Sequence, residues 1–127
     1  NSVLLDFVSD QARTCKAVLS VCTGSFVLHA AGLLSGKKAT THWASLERLR
    51  ALGDVSVVEE RYVRDGNVWS SSGVSAGIDL MLAFIASEAG DQAAGKVQFS
   101  AEYYPTAVRY GGYETHPQAP GYLRPQA

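Results

Sequence analysis

The sequence predicts an α/β layered fold with a largely parallel sheet, on three observations. The run AVLSV (17–21) is almost wholly apolar, as a strand covered on both faces must be, and it passes directly into a helical pattern. A second short strand pattern, KATTH (38–42), is again followed by a helical one at 44–52. Alternating apolar and polar residues then surround Asp65-Gly66 and lead into an apolar helix. Strand, helix, strand, helix, hairpin, helix is the order from which a layered α/β domain is built.

Taken in turn, residues 2–13 carry Leu4, Leu5, Phe7, Val8 and Ala12 at helical spacing and predict an amphipathic helix. After the strand 17–21, a helix is expected over 24–34, ended by Ser35 and Gly36. Leu46, Leu49 and Leu52 share one side of the helix 44–52. In VSVVEERYVRDGNVWSSSG (55–73), Asp65-Gly66 is the two-residue signal of a tight hairpin. Within 74–90, Ile78, Met81, Leu82 and Ile85 form the stripe expected to be buried, and Gly90 is the stop. A last helix is expected from Gln92 to about Tyr103. From Pro105 onward, prolines 105, 117, 120 and 125 and glycines 111, 112 and 121 interrupt any periodicity, which predicts an extended arm packed on the body or left free. No internal repeat and no second domain is visible. Only about two strands read as fully buried where a doubly wound sheet has roughly four to six. The sequence therefore reads as the C-terminal part of a larger α/β domain, and its opening NSVLLDFVSD, without Met, as that of a fragment or processed product.

Composition narrows the function. The 127 residues are 46% hydrophobic and 18% charged, with a formal net charge of −1, the profile of an ordinary globular domain. Near-neutral charge argues against a nucleic-acid or membrane surface held by general electrostatics. No apolar run approaches the roughly 18 residues of a membrane span. The two cysteines, Cys15 and Cys22, are too few for a disulfide framework, so a reducing cytoplasm is the default compartment. Cys15 reads as an inert, partly buried thiol.

Cys22 sits where the first strand hands over to a helix, in Val21-Cys22-Thr23-Gly24-Ser25. A residue at such an elbow projects its side chain outward, the geometry by which hydrolases expose a nucleophile. Small residues at 24 and 25 let the helix approach the strand. Amides of the first helical turn and the helix dipole favour negative charge there, which suits a thiolate and an anionic intermediate. Two readings stand side by side: a nucleophilic Cys22, or a small buried hydrophobe in a βα turn. His42 ends the next strand, and in a parallel sheet such ends gather at the ligand-binding edge. It either orients or deprotonates the thiol, or is simply bonded to loop backbone. His29 reads as a surface or packing residue, and His116 lies in the Pro/Gly arm with no partner in sight. Three scattered histidines without clustered cysteines predict no metal site. Asp79 lies in the first turn of its helix, where capping is its expected role. Glu47, Glu59 and Glu60 read as solvated charges and Asp65 as a turn residue. No acid is placed by sequence beside Cys22.

The stretch VCTGSFVLHAAGLLSGKKATTHW (21–43) closely resembles the ThiJ/PfpI superfamily, with its class I glutamine-amidotransferase-like fold, and within it the isonitrile hydratases. RYVRDGNVWSSSGVSAGIDLMLAFIA (61–86) and EYYP (102–105) continue the likeness in register. It rests on a Cys-Thr-Gly elbow, an A-T-T-H-W strand end and a G-x-x-A-G-I-D helix start in fixed order, and it covers nearly the whole chain. The resemblance implies a flavodoxin-like three-layer α/β sandwich, with residues 1–104 as the C-terminal part of the domain and 105–127 as a tail. It implies a homodimer with its site near the interface, a small-molecule substrate and no cofactor. Cys22 would be the nucleophile and Thr23 would position the reacting group, with Gly24 and His42 in support. In isonitrile hydratases the thiolate is thought to attack the terminal isonitrile carbon, after which water releases an N-substituted formamide. The early part of that family, with its acidic general acid, has no counterpart here, so a missing N-terminal segment or a second chain is expected to complete the site.

A second reading comes from another class. The same fold serves as the sensor domain of AraC-type transcription regulators, which also carry T-G elbows and A-T-T-H-W strand ends. Here no basic helical pair follows, only the Pro/Gly arm. A third reading is a redox-sensing or glyoxal-processing relative, since an exposed, acidic thiol suits reversible oxidation equally well.

Overall fold

The computed structural model describes residues 1–112 and 115–124; Pro125, counted above in the Pro/Gly arm, lies outside the described residues. Asn1 starts α1 (Ser2–Ala12), its side-chain oxygen accepting the amides of Val3 and Leu4 at 2.9 and 3.3 Å. That satisfies two of the donors a helix start leaves open. The helix forms where its spacing predicts, yet Val3, Leu4 and Phe7 face outward. Val8 packs against the core of Leu28, Leu34, Ala39 and Val68.

Next come β1 (Val18–Val21) and α2 (Gly24–Ala30). The second helix ends four residues earlier than the expected 34. Gly32 adopts φ 81°, its amide bonds to the His29 carbonyl, and the Leu33 amide reaches back to the Leu28 carbonyl, both at 2.9 Å. These paired bonds close a helix through a left-handed glycine. The chain then leaves the helix axis and drives Leu34 into the core, where it is fully buried.

The strand expected over 38–42 shrinks to β2 (Lys38–Ala39), because the Thr40 amide bonds to the Ser70 hydroxyl at 2.9 Å instead of continuing a ladder. A 3-10 turn (Trp43–Ser45) and the short α3 (Leu46–Arg50) replace the helix expected over 44–52. Leu46 and Leu49 are buried as their spacing requires, while Leu52 lies beyond the helix end and is exposed.

The alternating stretch 55–73 divides between two sheets. Its start forms β3 (Ser56–Val57), which pairs in parallel with β2 and was not foreseen. Only β4 (Tyr62–Asp65) and β5 (Val68–Ser71) make the hairpin. Asp65 pairs with Val68, so the turn residues are Gly66 and Asn67 rather than Asp65 and Gly66, with Gly66 at φ 63°. The Asp65 carboxylate instead accepts the Lys38 amide at 2.8 Å. β5 also pairs in parallel with β1, from Val18↔Val68 to Val21↔Ser71, giving the order β1-β5-β4. Because Lys38 meets Asp65 and Thr40 meets Ser70, β2 runs in the same sense as β5. The C-terminal ends of β1, β2 and β5 thus share one edge.

Helices α4 (Ala76–Ala89) and α5 (Asp91–Ser100) follow, separated by Gly90 at φ 94° as foreseen. The buried side of α4 is not the predicted one. Ala76, Gly77 and Leu80 face inward, Leu82 and Ile85 are half-buried, and Ile78 and Met81 are each 44% exposed. A Cβ on Gly77 would lie 2.9 Å from Val21 Cγ1, so the helix meets β1 through its small residues, and that contact sets its rotation. Both α2 and α4 pack on β1, with α1 against α2 and α5 against α4, an α/β arrangement with helices flanking the sheet.

α5 closes with the same paired bonds as α2, Glu102 amide to Phe99 carbonyl and Tyr103 amide to Gln98 carbonyl, each at 3.0 Å. Here, however, the left-handed position is held by Glu102 at φ 50° instead of a glycine. A left-handed L-residue costs about 1–2 kcal/mol, and part of that gain is offset by the unfolded-state freedom of glycine. Glu102→Gly is therefore expected to stabilise the fold by about 0.5 kcal/mol, read as a higher urea midpoint at unchanged m-value.

The arm is partly seated. Ala119 and Pro120 are buried, a 3-10 turn spans Gly121–Leu123, and the Arg109 guanidinium donates to the Leu123 carbonyl at 3.0 Å.

Candidate active site

The elbow has the backbone its position demands. Cys22 adopts φ 59°, a left-handed conformation that a residue with a side chain rarely takes. Its surroundings hold it there. The Cys22 amide is shared between the carbonyls of Ser71 and Ser72, both at 3.1 Å. Its carbonyl accepts the hydroxyls of Thr41 at 3.0 Å and Ser25 at 3.4 Å. Four residues on three segments thus fix the two peptide units that flank the Cys22 Cα, and the thiol is half-buried and unpaired in any disulfide.

Thr23 follows at the N-cap of α2, exposed, with a hydroxyl that caps no amide of the helix. Gly24 differs from expectation: a Cβ there would meet Ser20 Cβ at 3.7 Å, an ordinary contact, so the close approach is not what requires glycine at 24. The tight contact between helix and strand lies instead at Gly77 and Val21.

His42 is drawn to the same edge. Its Nδ1 accepts the Ala44 amide at 3.1 Å, so the neutral ring carries its proton on Nε2. Its Cδ2 faces Gly73, where a Cβ would stand 3.3 Å away. Gly73 adjoins Ser72, a hydrogen-bond partner of Cys22, and Thr41 precedes His42 in the chain. Among the described residues no hydrogen bond joins His42 to Cys22.

Beside this edge a shallow cavity of about 280 Å³ opens, with Trp43, Arg61, Ser72, Val74 and Tyr122 among its walls. The Tyr122 hydroxyl is buried there without a hydrogen-bond partner among the described residues, and burial pushes its phenol up. His116 is not isolated: its ring centroid lies 5.3 Å from that of Trp43, which in turn lies 5.5 Å from that of His42.

The remaining candidates have other duties. His29 pairs with Asp54 at 2.8 Å across α2 and the loop before β3. Glu47 and Glu59, expected to be solvated, both hold Arg50 and raise its already high pKa, Glu59 most. Asp79 does not cap α4; it binds the Arg61 guanidinium. Cys15 is half-buried and forms no disulfide. Among the described residues no three His, Cys, Asp or Glu side chains gather as metal ligands. Among the described residues no helix is long and apolar enough to cross a membrane.

The hydrogen bond from His29 holds the Asp54 carboxyl below the usual carboxylate range. A depressed carboxyl contributes stability above its unfolded value of about 3.9, and that contribution fades as pH falls through the folded-state value. In His29→Ala the Asp54 titration, followed by carboxyl NMR, is expected to move upward.

The residues that bind the elbow backbone, Ser71, Ser72 and Thr41, were not singled out from the sequence. One signal was present. Hydroxyl residues repeat in segments that read as buried, in SSS (70–72) and TT (40–41), and buried hydroxyls must find partners.

Comparison with known proteins agrees with this geometry. The DJ-1/PfpI family model matches residues 1–87. The chain is 47% identical over 116 residues to isonitrile hydratase of Pseudomonas putida, covering 91% of this chain and 50% of that protein. It is 41% identical over 88 residues to the HTH-type transcriptional regulator CdhR of Pseudomonas aeruginosa, covering 68% of this chain and 26% of the regulator. The crystal structure of a ThiJ/PfpI family protein from Pseudomonas syringae superposes with a TM-score of 0.80 at 37% identity, over 98% of this chain and 50% of that one. The chain spans about half the length of the isonitrile hydratase and about a quarter of the regulator. A family match over most of the chain, joined to a left-handed cysteine at the β1–α2 junction, places this chain in the DJ-1/PfpI family.

Proposed function

We propose that this chain carries the nucleophile of a cofactor-free isonitrile hydratase, with Cys22 as the attacking group. The observation that carries the reading is the 47% identity to isonitrile hydratase across nearly the whole chain. The elbow supports it: an exposed turn fixed by four hydrogen bonds pre-sets the direction of the thiol.

In this reading the Cys22 thiolate attacks the terminal carbon of R–N≡C, forming the S–C bond, and that carbon takes up a proton. Water then adds to the thioimidate carbon, the C–S bond breaks, and R–NH–CHO leaves with the thiolate regenerated. Thr23, through its amide and its free hydroxyl, positions the reacting group. His42, with its proton on Nε2, is a donor at the same edge, and Gly24, the first residue of α2, is a supporting residue beside Thr23. The carboxylates of Asp54, Asp65 and Asp79 are bound to His29, the Lys38 amide and Arg61, so the proton donor to the substrate is assigned outside these three. The reading includes a homodimer in the cytoplasm acting on a small molecule, with no nucleic acid or membrane partner. The test is isonitrile consumption with stoichiometric formamide release by the intact protein; a protein that binds but never consumes an isonitrile would overturn the reading.

The similarity to CdhR favours a second reading, a ligand-sensing domain of a transcription regulator. In that case operator binding by the intact protein responds to a small molecule, and Cys22→Ala leaves the response in place.

A further inference from the structure

Arg61 is held on both sides of the segment that supports Cys22. Its carbonyl accepts the Ser72 amide at 2.8 Å and the Ser72 hydroxyl at 3.1 Å. Its guanidinium reaches forward to Asp79 in the first turn of α4, through Nε at 2.8 Å and Nη2 at 2.5 Å to the same carboxylate oxygen. One residue, just before β4, thus grips both ends of residues 72–79, the junction between β5 and the first turn of α4. Tyr103 adds a grip in the middle, its hydroxyl donating to the Ser75 carbonyl at 3.4 Å.

That junction is the wall against which the elbow is built. The Ser71 and Ser72 carbonyls take the Cys22 amide, Gly73 lies against the His42 ring, and Gly77 presses on Val21, the residue before Cys22. Any shift of residues 72–77 is therefore felt on both sides of Cys22 and at His42. The Arg61–Asp79 pair is partly exposed, with side chains 38% and 29% accessible. A pair in such a setting adds little to global stability, so its geometric consequence at the elbow is the more informative one.

We infer that Arg61, acting through Ser72 and Asp79, is a positioning residue that holds the β5–α4 junction so that Cys22 stays in its left-handed, reactive conformation. The inference rests on the proposed hydratase reading for its catalytic readout, and a second readout is independent of it. In the intact protein with Cys15 replaced by Ser, Arg61→Met, Asp79→Asn and the double variant are compared for isonitrile kinetics and for the rate of Cys22 alkylation by iodoacetamide. Each single variant is expected to lower kcat about tenfold with KM within about twofold, the pattern of a lost transition-state geometry. The double variant should add less than a further twofold, as for partners in one interaction. Alkylation of Cys22 should slow about threefold or more in all three, as the elbow relaxes from the geometry that exposes the thiol. Arg61→Lys, which keeps the charge, should recover part of both losses. Unchanged kcat and unchanged alkylation in folded Arg61→Met and Asp79→Asn overturn the inference. If Arg61→Met does not fold, Asp79→Asn and Arg61→Lys decide. If the parent protein consumes no isonitrile, the hydratase reading fails while the alkylation rates still decide the role of Arg61.

Discussion

On the proposed hydratase reading, Cys22→Ala is expected to abolish isonitrile turnover, and Cys22→Gly to abolish it equally while making the protein more stable than the alanine variant. The first half follows from the chemistry: without sulfur no thioimidate forms, and the neighbouring hydroxyls of Thr23, Ser25 and Thr41 are far weaker nucleophiles at neutral pH. A loss of at least about a thousandfold in kcat is anticipated, the usual scale for removing a covalent nucleophile. The second half follows from the backbone. At φ 59° any side chain strains the turn, and the strain is about 1–2 kcal/mol. Alanine keeps it and glycine removes it. Glycine also gains freedom in the unfolded chain, which returns about 0.4–1 kcal/mol. The net expectation is that Cys22→Gly exceeds Cys22→Ala by about 0.5–1 kcal/mol in urea denaturation. Equal stability of the two variants would show that the left-handed geometry is not imposed by its neighbours. Residual turnover in both would remove Cys22 from the mechanism.

The largest effect on folding is expected at Gly77. A Cβ at this position already lies 2.9 and 3.0 Å from the two Cγ atoms of Val21, a branched side chain with little room to rotate inside a strand. Gly77→Val adds two more methyl groups into the same contact. Overpacking of this kind costs about 3 kcal/mol at the upper end of its usual range. Helix propensity favours valine over glycine by only a few tenths of a kcal/mol, too little to offset it. The clash also pushes the start of α4 away from β1, beside Cys22, so activity should fall along with stability. Val21→Ala combined with Gly77→Val is expected to recover at least about 1 kcal/mol, because the two sites share one contact and cannot be additive. Additive losses in that double variant would place the origin of the destabilisation somewhere other than the helix–strand contact.

Where the sequence reading succeeded, the information was local. The apolar run before Cys22, the small residues after it, the alternation before Asp65 and the stop at Gly90 all express backbone preferences acting within a few residues. So the α/β order, the elbow, the hairpin and the long α4 were legible, and the motif around Cys22 pointed to the family. The misassignments share a cause of the opposite kind. The strand 38–42 stopped at Ala39 because Ser70, thirty positions away in the chain, offers its hydroxyl to the Thr40 amide. β3 went unseen because its partner is β2 rather than the following strand. The stripe Ile78 and Met81 faced outward because Gly77 had already fixed the rotation of α4 against Val21.

The candidate site divides along the same line. The sequence by itself determined that a thiol stands at a strand-to-helix joint, with Thr23 behind it and His42 at the next strand end, because spacing along one chain dictates those positions. Only the tertiary structure decided what holds that joint: the carbonyls of Ser71 and Ser72, the hydroxyl of Thr41, and the grip of Arg61 on both ends of the β5–α4 junction. Hydrogen bonds of this sort join residues remote in the chain, and their partners are chosen by which strands lie side by side. Pairing of strands is a property of the assembled sheet, and no periodicity within a single segment encodes it.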